Sequence, residues 1–169
     1  NGISVASGES SGTTTDEPSL KWCIGTGATN NLDSAASNGN YQSRSWTITN
    51  TFGQGYLNTS RMTGSGCTSG AGRTAWDLVY GGQSDWFLPS VSEMNELCKY
   101  VKNVAGQGSI GTACTTGTNR FGFITSHYWT STESPETPGQ AAWFLFMSDG
   151  HNDDDTKNYT ARVRPIRAF

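Results

Sequence analysis

The chain reads as an α+β fold, and three observations carry that reading. Two helix signals come first, and three strand-like segments follow them: Phe121 to Trp129, Trp143 to Met147 and Tyr159 to Ile166. Long glycine- and threonine-rich stretches lie between many of these elements. Helices first and hairpin-linked strands second give a segregated antiparallel sheet; a parallel sheet would need the two to alternate.

Residues 1–18 show no hydrophobic periodicity and are rich in Ser, Thr and Gly, so they are expected to form a linker or disordered arm ending at Pro18. Residues 19–169 are expected to form the one folded domain. The first residue is Asn rather than Met, so the chain is read as part of something longer whose missing portion lies upstream; Arg167-Ala168-Phe169 reads as a natural ending. Leu20 to Ile24 alternates like a short strand, stopped by Gly25-Thr26-Gly27. Asn30 to Gln42 reads as loop, Ser45 to Thr49 as an edge strand, and Gly53 to Gly72 as a second, glycine-dense loop.

Ala71, Ala75, Leu78 and Val79 recur at helical spacing, with Thr68 or Ser69 as a cap and Gly81-Gly82 as a stop, which predicts a short helix over about 70–80. Ser90-Val91-Ser92-Glu93 is a capping box, in which hydroxyl and carboxylate each accept from the other residue's amide. Val91, Met94, Leu97, Cys98 and Val101 then share one helix face until Gly106 breaks the pattern. That stripe is core rather than a cofactor box. Gly106 to Arg120 reads as another loop.

With 11 basic and 14 acidic residues the formal charge is -3, which gives no electrostatic reason to attract nucleic acid, and no run is long and apolar enough for membrane insertion. The apolar share is low at 34%, so 6 Trp, 7 Phe and 6 Tyr must supply the bulk of the core. Four cysteines, Cys23, Cys67, Cys98 and Cys114, lack zinc-ligand spacing. They admit three disulfide pairings, or none if they are buried thiols.

From Phe123 to Phe169, aromatic anchors bracket a polar middle, the composition of a rigid frame presenting a contact surface. Four motifs stand in order: Gly82-Gln83-Ser84-Asp85-Trp86-Phe87-Leu88-Pro89-Ser90, Tyr128-Trp129-Thr130-Ser131-Thr132-Glu133, Ala142-Trp143, and Val163-Arg164-Pro165-Ile166-Arg167. Together they resemble the C-terminal domain of collagen-like bacterial adhesins and the variable proteins of diversity-generating retroelements, both of the C-type-lectin-like fold. The resemblance covers roughly Trp22 to Phe169.

It implies two helices, a small twisted antiparallel sheet and long loops, with ligand-contacting side chains near the C-terminus. In retroelement targets those positions are enriched in Asn, Asp, Tyr, Ser, His and Thr. Ser148, Asp149, His151, Asn152, Asp153, Asp154, Asp155, Asn158 and Tyr159 fit that pattern. Phe144, Phe146 and Met147 depart from it, being apolar where several members carry a polar side chain, and so does Asn152, where an apolar residue is common.

The expected ligand-binding set is Ser126, Tyr128, Glu133, Ser134, Glu136, Phe144, Phe146, Ser148, Asp149, His151, Asn152, Asp153, Asp154, Asn158, Tyr159 and Arg162. Trp129 and Trp143 are read as core rather than sugar platforms, and Tyr128 as able to lie on either side. Arg164 and Arg167 are read as structural, tying loops or a carboxylate such as Asp85. The acids Asp149, Asp153, Asp154, Asp155, Glu133 and Glu136 can supply oxygen ligands for Ca²⁺, but the spacing is not that of an EF-hand, and the Glu-Pro-Asn and Trp-Asn-Asp triplets of calcium-dependent lectins are missing. A solvated acidic loop that needs no cofactor is therefore expected.

His127 and His151 fall in no metal-ligand cluster, and no nucleophile, base and acid trio stands out. The expected function is a non-enzymatic receptor-binding or display domain, extracellular on a cell or virion surface. Its partner would be a surface protein of a host or neighbouring cell. A carbohydrate-binding adhesin module is the alternative, and an oxidase of the formylglycine-generating type ranks last.

Overall fold

The structure is a computed structural model that describes residues 3–5, 17–25, 54–102, 114, 117–134, 136, 137 and 139–168. The loop expected at Asn30 to Gln42, the edge strand at Ser45 to Thr49 and most of the loop at Gly106 to Arg120 lie outside these residues. In chain order the elements are β1 (Ile3–Val5), β2 (Ser19–Lys21), β3 (Ile24–Gly25), α1 (Gln54–Gly64), β4 (Cys67–Ser69), α2 (Ala71–Trp76) and α3 (Val91–Lys102). Then follow β5 (His127–Glu133), β6 (Ala141–Phe146), β7 (His151–Thr156), β8 (Thr160–Arg162) and β9 (Ile166–Ala168). The class is α+β, with helices first and the main sheet second.

The capping box forms as the sequence predicts. Ser90 N–H donates to Glu93 Oε2 at 2.8 Å, and Glu93 N–H donates to Ser90 Oγ at 3.3 Å. The same carboxylate oxygen also accepts Gly55 N–H at 3.0 Å, so one buried acid serves the starts of both α1 and α3. A Cβ at position 55 would fall 2.3 Å from that oxygen, which is why glycine stands there.

α1 corrects the loop expected over Gly53 to Gly72. Its pattern is largely inverted: Asn58 and Thr59 are buried along with Met62, while Tyr56 and Leu57 face out. Hydrophobic periodicity therefore gave no helix signal. Thr59 holds the inward face by accepting Leu88 N–H at 3.0 Å and donating to Gly55 O at 2.7 Å, and Asn58 donates to Ser131 Oγ at 3.3 Å.

The main sheet runs β2-β8-β5-β6-β7, antiparallel except between β5 and β8. β7 corrects the solvated acidic loop: His151–Thr156 pairs along β6 from Phe146↔His151 to Ala141↔Thr156. Its residues have poor intrinsic strand preference, and pairing with an apolar neighbour overrides it. The strand expected at 121–129 starts only at His127, after a turn in which Phe121 and Gly122 take positive φ. The one expected at 159–166 is split, with β8 joining β2 and β9 joining β1 on either side of Val163 to Pro165. The arm expected at 1–18 contributes to the fold in two places, since Ile3–Val5 pairs with β9 and Glu17 is buried.

Two apolar clusters fill the interior. One joins Trp22, Met62, Leu88, Trp129, Phe144 and Val163. The other packs Met94, Leu97, Cys98 and Val101 of α3 against Tyr128, Leu145, Met147 and Ile166. Both buried indoles between β2 and β5 are satisfied: Trp22 Nε1 donates to Thr130 O at 2.7 Å and Trp129 Nε1 to Leu20 O at 2.8 Å. All four cysteines are oxidised, as Cys23–Cys67 and Cys98–Cys114.

Candidate ligand-binding face

The four sequence motifs meet in space and build a frame. Phe87 and Ile166 exchange backbone hydrogen bonds at 2.8 and 2.9 Å, and Ser131 N–H donates to Pro89 O at 2.7 Å. Val91 N–H donates to Thr132 Oγ1 at 3.0 Å. Arg167 grips Asp85 with two bonds of 2.7 and 3.0 Å, which holds that carboxyl below its usual range. Arg164 and Tyr128 both bond the Glu17 carboxylate, and the Arg164 guanidinium lies 4.2 Å over the Phe123 ring. Both arginines are structural, as expected.

The β5–β6 pair has a sealed end and an open end. At the sealed end Glu133 is ion-paired with Lys157, both within the interior, and the ammonium sits 4.7 Å over the Trp22 ring. Desolvation pulls the Lys157 pKa down, and the Glu133 carboxylate opposes it.

At the open end, strand pairing sets His127 opposite Phe146 and Phe146 opposite His151, with Phe144 opposite Asp153. All five side chains therefore share one face of the sheet. The His127 ring stacks on Phe146 at 4.5 Å and meets Phe144 edge-on at 4.7 Å. The Tyr159 hydroxyl lies 3.2 Å from His127 Nδ1. His127, Phe146 and Tyr159 are half-exposed over a floor of Phe144 and Trp129, while His151 and Asp153 stand in solvent beside them.

The turn between β6 and β7 is held from behind. Gly150 has φ 76°, and a Cβ there would fall 2.5 Å from the Cβ of Cys114. Ser148 O accepts a bond from Lys102 of α3, whose pKa burial pulls down. Asp149 Oδ1 accepts His151 N–H at 2.9 Å.

The chain matches the family model of the Lcl C-terminal domain over residues 12–167. It belongs to that family. The Lcl C-terminal domain is a C-type-lectin-like variable domain family, in line with the resemblance carried by the four motifs. No curated protein matches the chain.

Within this Lcl C-terminal domain the expected site residues divide. Phe146, His151, Asp153 and Tyr159 come together on the open face over the buried Phe144 ring, with Ser148 and Asp149 on the adjoining turn. Five leave the displayed set because they are buried: Tyr128, Glu133, Ser134, Phe144 and Asn152. Tyr128 packs under α3, Glu133 pairs with Lys157, Ser134 Oγ accepts Glu136 N–H at 3.3 Å, and Asn152 pairs with Leu145 on the inner face.

Asp154 pairs with Trp143 and so lies on the opposite face from Asp153; Trp143, expected in the core, is half-buried there. Glu136 is exposed but follows the sealed end. Arg162 bonds Glu17 O and Asn158 accepts from Lys21 at 3.5 Å, while Ser126 is half-buried with its carbonyl on Met147 N–H at 2.9 Å.

His127 was missed, although two-residue alternation from Trp129 could have placed it on the same face. Among the described residues no group of three or more His, Cys, Asp or Glu side chains is placed to hold a metal ion.

Proposed function

We propose that this chain is a non-enzymatic binding module. Its open β5–β6–β7 face contacts a surface protein of a host or neighbouring cell, working outside the cell on a cell or virion surface. The observation that carries the reading is the half-exposed ring group of His127, Phe146 and Tyr159, mounted on a sealed frame and edged by exposed polar side chains. Aromatic rings with a polar rim are the composition of a protein-contacting patch.

Diversification by a retroelement accords with the same layout. Ser148, Asp149, His151, Asp153 and Asn158 are of the residue types such systems favour, and they stand on an outer strand and the turns on either side of it, where exchange disturbs little packing. The disulfides accord with an oxidising compartment. With Cys114 held in a disulfide, no cysteine is left as a nucleophile of the formylglycine-generating kind.

Two experiments test this. A template repeat beside a reverse transcriptase gene should differ from the coding sequence at Phe146, Ser148, His151 or Asp153, and not at Tyr128, Trp129 or Glu133; differences concentrated at the buried positions would defeat the reading. Adhesion of labelled protein to candidate host cells should vanish when Phe146, His151, Asp153 and Tyr159 are exchanged together for alanine. The same rings favour a second reading, stacking on a sugar. Binding on a glycan array that persists in chelator and is lost in Phe146→Ala would select it.

A further inference from the structure

We infer that the open face takes a cationic segment of a partner protein, docked by its arginine or lysine side chains and not as an added β-strand. This rests on the proposed binding role and specifies the occupant.

The first argument concerns the outer strand. β7 ends the sheet order, so its far edge would ordinarily offer free amides to a partner strand. Two of them are already used: Asp154 N–H donates to Asp153 Oδ1 at 2.9 Å, and Thr156 N–H donates to Asp155 Oδ1 at 2.6 Å. A strand added there would have to displace two charge-assisted bonds.

The second argument concerns charge. The same two bonds fix Asp153 and Asp155 at alternate positions, opposite Phe144 and Ala142 and therefore on the face that carries the rings. Neither residue has a salt-bridge partner among those described. The other described residues that strand pairing sets on that face along β5, β6 and β7 are His127, Trp129, Glu133, Ala142, Phe144, Phe146 and His151, beside Tyr159, with no lysine or arginine among them. Lys157 is committed to Glu133, and Lys102 lies by the turn, where Asp149 faces it. Half-exposed rings beside held carboxylates suit a cation on an apolar stem, which can lie over the rings while its charged head meets the acids. A segment bearing acids would meet repulsion.

The test uses a random-peptide phage library panned on the folded domain. Selected peptides should be enriched in arginine or lysine. They should bind the Asp153→Asn/Asp155→Asn variant about tenfold more weakly, and the wild type more weakly as salt rises. Asparagine keeps a carbonyl for the edge amide, so this variant removes charge and not the strand's closure. Binders that lack basic residues, ignore Asp153→Asn/Asp155→Asn and are lost in Phe146→Ala would overturn the inference while leaving the binding face in place. Binders indifferent to all three substitutions would overturn both. An empty selection also counts against the inference.

Discussion

At one end of the β5–β6 pair Glu133 lies in the interior against Lys157; at the other, Asp153 stands in solvent beside Phe146. The aromatics divide in the same way. Tyr128 is fully buried with its hydroxyl on Glu17, while Tyr159 is half-exposed with its hydroxyl on His127. Acid and phenol appear at both ends, so residue type does not separate frame from display. What separates them is burial: Glu133 and Tyr128 are closed into the interior with their partners, whereas Asp153 and Tyr159 keep surface in solvent. A sheet whose ends differ in this way can vary one while the other holds the fold.

The largest effect should come from opening the sealed end. Glu133→Ala removes the carboxylate paired with the buried Lys157 ammonium, and removing one member of such a pair costs about 3–5 kcal/mol. Denaturant unfolding should register that loss, and a change under about 1 kcal/mol would erase the distinction between the ends. Next in size is the Cys98–Cys114 link behind the turn, with a sequence separation of 16. Closing a loop of that length is worth about 3 kcal/mol in the chain-entropy account, so Cys98→Ala/Cys114→Ala should lower the unfolding midpoint accordingly.

Tyr128→Phe should be smaller near neutral pH, about 1–2 kcal/mol for the lost phenol bonds, and should also change the alkaline limb. Burial, with the Glu17 carboxylate, raises the Tyr128 pKa above its ordinary 10.0. The neutral phenol's contribution is therefore fully present below that value. It is lost as pH rises beyond it, where the unfolded chain alone ionises. Wild-type stability should fall faster than that of Tyr128→Phe above about pH 10; parallel curves would mean that the phenol is not held in this way. Least of all should Asp85→Asn matter: the Asp85–Arg167 pair sits at the surface, so a slight fall in midpoint, reduced further by salt, is expected.

Much of the frame was legible because it rests on short-range chemistry. The Ser90–Glu93 box, the stripe of α3 and the strand-like aromatics around Trp129 each announce themselves within a few residues. α1 did not, because Asn58 and Thr59 of its buried face are polar and bond Ser131 and Leu88 from elsewhere in the chain. β7 did not, because a run of His, Asn and Asp becomes a strand only when Ala141–Phe146 lies beside it. For the site, the polar stretch was the right place, but position along it could not tell Asn152 from Asp153. Only the strand's alternation does, sending one residue inward and the next to the open face.

The division between frame and display is tested most directly by equilibrium unfolding of His151→Ala/Asp153→Ala/Asn158→Ala beside Tyr128→Ala. The triple variant should keep its stability to within about 1 kcal/mol, as exposed substitutions generally do. Tyr128→Ala, which empties a buried site under α3, should lose about 3–5 kcal/mol. Comparable losses in the two variants, or a larger loss in the triple, would contradict the account.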